Sequence, residues 1–175
     1  MTAGRLLSLG LLVIGIGMAF VTAPPLVSAA HASCVDPARS GVVWRRCDFS
    51  GRNLAGINVS GGTLAGARFM RGNLADANFS GATLDRAKFV TAELQRADFS
   101  GARAVGTDFT KADLTDASFE GADIRRARFF GAILRGANFS GARLQGADLL
   151  NADFSGATWT DGETVCAPES IGQCK

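Results

Sequence analysis

The residues best equipped for covalent or metal chemistry are four cysteines, Cys34, Cys47, Cys166 and Cys174, in a chain of 175 residues. Thiols of this kind form disulfides, bind soft metals or act as nucleophiles. Four of them allow three disulfide connectivities. They stand as one pair near each end of the sequence, with none between. The single histidine, His31, falls within an N-terminal segment that reads as a leader, and there is no tyrosine. Histidine-dependent triads, metal sites and acid–base catalysis are therefore excluded from a processed chain. Carboxylates remain, and a pair of them can hydrolyse a glycoside. No phosphate-cradling glycine motif is present, and no cofactor is expected.

The leader reading rests on composition. Arg5 provides a positive start, Leu6 to Val21 is apolar, Pro24-Pro25 breaks the run, and Ala30-His31-Ala32 offers a small-x-small cleavage pattern. Residues 1–32 are expected to be a signal peptide cut after Ala32. The apolar run of 16 residues is just short of a spanning helix of ~20, which makes a retained membrane anchor the alternative; with cleavage no membrane span is expected. An exported chain with an even set of cysteines reads as disulfide-bonded.

The elements that must position everything else come from one repeat. From Phe49 to Trp159 a large apolar residue returns every five positions, with Ala104 as the one small exception, and Ala usually stands two residues before it. A period of five suits neither an α-helix nor a flat strand. Each unit is too small to bury its own side chain, so neighbours must stack. Ala77-Asn78-Phe79-Ser80-Gly81, Ala97-Asp98-Phe99-Ser100-Gly101 and Ala137-Asn138-Phe139-Ser140-Gly141 carry the full motif, and on it the chain resembles the pentapeptide repeat family. The resemblance implies an all-β fold, a right-handed quadrilateral β-helix with four repeats, or 20 residues, per coil and about six coils in this chain.

Sorted by that coil, the first face has centres Phe49, Phe69, Phe89, Phe109, Phe129 and Leu149, and the third has Val59, Phe79, Phe99, Phe119, Phe139 and Trp159. Leu dominates the second face (54, 74, 94, 114, 134) and the fourth (64, 84, 144). At the usual strand spacing of ~4.8 Å the rod would be roughly 28 Å long. A cavity or local irregularity is expected at Ala104. Residues 33–46 are expected to form an N-terminal cap plugged by Trp44, 47–161 the β-helix, and 162–175 a C-terminal cap. A rod of this kind keeps its ends apart, so the pairing expected from the resemblance is Cys34–Cys47 with Cys166–Cys174, and convergence of all four thiols on a metal is not.

The carboxylates flank buried centres and face outward, where turn hydrogen bonds are the expected role. The outward positions of the first face are more informative: Ser50, Met70, Val90, Thr110, Phe130 and Leu150. Met70, Val90, Phe130 and Leu150 are large and apolar where the motif prefers Ser or Thr, and Arg68, Arg71, Lys88 and Arg128 surround them. The adjoining fourth face adds Arg86, Arg103, Arg125, Arg126 and Arg143. An apolar strip rimmed by cations is the candidate contact surface. These features imply a non-enzymatic structural or protein-binding module of the bacterial cell envelope, periplasmic or secreted. Its partner would be an envelope or extracellular protein, with self-association through the same face as the second expectation. DNA mimicry, known among relatives that protect a topoisomerase, is disfavoured by export and by a formal charge of +2. Nucleic-acid binding and a carbohydrate-active β-helix enzyme are disfavoured as well.

Overall fold

The computed structural model describes residues 34–175. The leader read over residues 1–32 lies outside them, as does Ser33. From Val43 to Thr158 every bridge is parallel and joins residues 20 apart, as in Val43↔Thr63, Asp48↔Arg68, Asn53↔Asn73 and Asn58↔Asn78. Those four pairings step by five residues and then repeat on the next level, so each coil has four sides of one repeat each. No side grows into a longer strand, because a turn follows each bridge residue within three positions.

The motif explains the geometry residue by residue. The centre amide donates to the coil above, as from Phe69 to the Lys88 carbonyl at 2.7 Å. The residue before the centre donates to the coil below, as from Lys88 to the Ala67 carbonyl at 2.9 Å. Its side chain serves the turn: the Asp108 carboxylate accepts from the Thr110 amide at 3.1 Å and the Thr110 hydroxyl at 2.6 Å. Asn78 and Asp153 hold Ser80 and Ser155 in the same way. Asp, Asn, Ser and Thr recur here because their short side chains satisfy the turn's own amides.

Inside, the two phenylalanine columns face each other. Phe69, Phe89, Phe109 and Phe129 stack with centroids 4.9, 5.2 and 5.1 Å apart. Phe79, Phe99, Phe119 and Phe139 stack at 5.0, 5.0 and 5.1 Å. Rings of one column meet rings of the other edge to face, at 5.5 Å for Phe99 and Phe109 and 5.7 Å for Phe109 and Phe119. Each inner ring thus has stacked and edge-on neighbours together, and such pairs add ~0.5–1.5 kcal/mol beyond area burial.

The local irregularity expected at Ala104 is not found. Its ladder is unbroken, with Thr83↔Arg103↔Asp123 and the Ala104 amide bonded to the Asp123 carbonyl at 2.8 Å. Thr107, standing where repeats 77–157 otherwise carry Ala, is fully buried three residues on and donates its hydroxyl to the Leu84 carbonyl at 2.8 Å. The backbone runs past the small centre without a break in the ladder.

The ends are closed differently. Cys34 and Cys47 are bonded, and Trp44 is buried over Phe49, with centroids 4.4 Å apart and its indole N–H donating to the Asp36 carbonyl. At the other end the chain reverses: Thr158↔Val165 and Asp153↔Ile171 are antiparallel, and Cys166 is bonded to Cys174. The returning segment occupies the ladder edge that the last coil would otherwise expose.

Candidate functional site

Four corners join the four sides, and the outward residues of each stack into columns. The first-face column is held in line by its backbone: Gly51 donates to the Met70 carbonyl, Arg71 to Val90, Thr91 to Thr110, Lys111 to Phe130 and Gly131 to Leu150, all within 2.9–3.0 Å. The structure therefore brings Met70, Val90, Phe130 and Leu150 into a single file. Leu150 is 60% exposed, whereas Met70, Val90 and Phe130 are half-buried. Thr110 divides the file into two apolar pairs, and its hydroxyl is engaged by Asp108.

Of the surrounding cations, Arg68 approaches Asp48 at 3.8 Å and Arg128 approaches Asp108 at 3.6 Å. Arg71 and Lys88 have no ion-pair partner among the described residues. Exposed pairs of this sort contribute ~0–1 kcal/mol and leave the arginines accessible. Sequence reasoning missed Ile133, 39% exposed on the second face where the motif calls for Asp or Asn. Its signal was an apolar residue at a polar position.

Most of the aspartates are occupied by structure. The Asp123 carboxyl is held below the usual carboxylate range by the Arg125 guanidinium, bonded at 2.7 Å through both nitrogens. Arg96 does the same for Asp76 one level below it. Burial pushes Asp113 and Asp153 up, yet hydrogen bonds from Thr115 and Ser155, with Gln95 and Arg135 adding to them, leave both below the usual range. Carboxylates kept ionised and committed to turns and arginines are poor proton donors. Among the described residues no cluster of His, Cys, Asp or Glu is arranged to hold a metal, and no helix is long and apolar enough to cross a membrane.

The family model for pentapeptide repeats matches in 8 copies, over residues 53–89, 92–131 and 125–158. Among curated proteins no relative matches. Solved structures do. HetL, a pentapeptide repeat protein involved in heterocyst differentiation regulation in Nostoc sp. strain PCC 7120, is 26% identical with a TM-score of 0.44, covering 72% of this chain and 73% of its own. A pentapeptide repeat protein of the Arabidopsis thaliana thylakoid lumen is 31% identical with a TM-score of 0.46, covering 62% of this chain and 68% of its own. QnrB1, a plasmid-mediated fluoroquinolone resistance protein, is 24% identical with a TM-score of 0.40, covering 69% and 70%. Pentapeptide repeat proteins fold as right-handed quadrilateral β-helices. With its 20-residue coil and a family match over more than half its length, the chain belongs to the pentapeptide repeat family.

Proposed function

We propose that this chain is an exported, non-enzymatic module of the cell envelope that holds a protein partner against its first face. The observation that carries the reading is the file of Met70, Val90, Phe130 and Leu150, apolar where the motif supplies Ser or Thr, beside accessible Arg71 and Lys88. Aromatic and methionine side chains with an arginine rim are the composition of interface cores. Disulfides at both ends fit an oxidising compartment, periplasmic or extracellular. Carboxylates engaged in turns favour a binding role over hydrolysis. A DNA mimic needs an acidic wall, and the cations on the first and fourth faces oppose one.

Cross-linking capture from the host's envelope and medium tests this, using the oxidised protein beside its Met70→Glu/Phe130→Glu variant. One partner recovered with the former and lost with the latter is the expected result. Equal recovery by both would overturn the assignment of the face, and recovery of the chain alone would mark the face as a self-association surface.

A further inference from the structure

The corner between the fourth face and the first holds Arg46, Gly66, Arg86, Gly106, Arg126 and Gly146, one residue per coil. Arginine and glycine alternate, so the arginines recur every two coils, about 10 Å at the ~4.8 Å strand spacing. Arg46, Arg86 and Arg126 all sit in left-handed backbone, with φ of 57°, 58° and 58°. Each stem leans over the glycine of the next coil: a Cβ on Gly66 would lie 3.4 Å from the Arg46 Cγ, and one on Gly146 3.5 Å from the Arg126 Cγ. None of the three has an ion-pair partner among the described residues. The nearby acids already face other cations, Asp85 with Arg103 at 2.9 Å, Asp123 with Arg125 at 2.7 Å and Asp108 with Arg128 at 3.6 Å. Open grooves flank the arginines on both sides of the corner, one including Asp85 and another Gln145.

We infer that this corner is a track for an acidic polysaccharide with a carboxylate on alternate sugars. The charge density selects the polymer. A DNA duplex carries one charge per ~1.7 Å, about 11 over the ~19 Å from Arg46 to Arg126, against the three corner arginines and the unpaired Lys88 beside them. An extended peptide repeats its same-face side chains every ~6.6 Å and falls out of step after one arginine. A pyranose unit advances a chain by about one coil, so acids on every second sugar meet successive arginines. The intervening neutral sugars then lie over Gly66 and Gly106, where the remaining lone pairs of the Asp85 and Asp108 carboxylates accept from sugar hydroxyls, and Gln145 beside Gly146 extends the track past Arg126. The track lies beside the first-face surface, and draws on the export reading only for its partner being within reach.

The test is titration of the full oxidised chain with hyaluronan oligosaccharides, with neutral dextran and a short DNA duplex as comparison ligands. The decisive variant is Arg46→Gly/Arg86→Gly/Arg126→Gly, which continues the column's own glycines and keeps the fold. Hyaluronan binding that weakens with salt, falls at least tenfold in that variant and survives Met70→Glu/Phe130→Glu is expected. No hyaluronan binding, equal binding by the triple variant, or tighter binding to the duplex would each overturn the inference. Loss in Met70→Glu/Phe130→Glu alone would move the site to the first face and overturn it too.

Discussion

Two corners of the rod share a backbone and differ in every other respect. After the third face the corner is glycine at each level from Gly41 to Gly141, with φ between 62° and 71°. After the fourth face, arginine takes the same left-handed conformation at alternate levels. A left-handed L-residue costs about 1–2 kcal/mol, so glycine is the default. The arginine corner shows that the coil tolerates side chains there. The corner after the second face makes the point again, since Asp76, Arg96 and Asp116 stack there with Arg96 gripping Asp76. That corner pairs Arg96 with Asp76 and keeps one negative charge at Asp116, the glycine corner carries nothing, and the fourth-face corner is left cationic.

Both corners hang on the same paired phenylalanine columns, so the core is where the comparison breaks most completely. Phe109→Ala removes a ring with two stacked and two edge-on neighbours. It is expected to cost about 3–5 kcal/mol in urea denaturation, and to raise hydrogen exchange at Gly101, Gly121 and Arg86, Arg126 alike. Exchange confined to one corner would show that the sides open independently.

An exchange of residues between the corners sharpens the comparison at smaller scale. Gly121→Arg meets no atom within 4 Å of its new Cβ, so only the backbone resists. It should lose about 1 kcal/mol, and Arg86→Gly should gain a similar amount. Equal stability of both variants and the parent would mean that stacking of the arginine stem over Gly106 already offsets the strain.

The smallest effect concerns acid. Asp113, Asp123 and Asp153 have carboxyls held below their ordinary range, so they contribute stability that is full above the unfolded-state range and lost as pH falls through the depressed folded values. Thermal stability should be flat from neutrality down to the ordinary aspartate range and decline below it. Because the corner arginines have no carboxylate partner among the described residues, Arg86→Gly/Arg126→Gly should show the same pH dependence, offset upward by its gain in stability. A displaced acid limb in that variant would reveal an acidic partner for the corner.

Much of the architecture was legible in the residues, since a period of five sorted by 20 already separates Phe faces from Leu faces. What escaped that sorting lies across columns or beyond one coil. The buried hydroxyl of Thr107 finds its acceptor on Leu84, one coil below, a relation no vertical alignment displays. The Arg46, Arg86 and Arg126 alternation has twice the period of the coil, so Arg86 and Arg126 were visible singly and Arg46 was absorbed in the cap. The antiparallel return of 165 and 171 onto 158 and 153 departs from the repeat altogether. At the first face, composition disclosed the apolar file and its interruption by Thr110, but not that Leu150 stands exposed while Met70, Val90 and Phe130 are half-buried, because exposure depends on how each side chain lies along the wall.

The uniform 20-residue offset between paired levels also constrains how such a gene can change length. An insertion of one motif would turn every later residue by a quarter revolution, setting Phe beneath Leu and sending Phe130 and Leu150 to another wall. Four motifs keep the walls in phase but put two arginines, or two glycines, next to each other at the fourth-face corner. Only eight, two complete revolutions, would lengthen the chain while preserving both the interior and the charge rhythm.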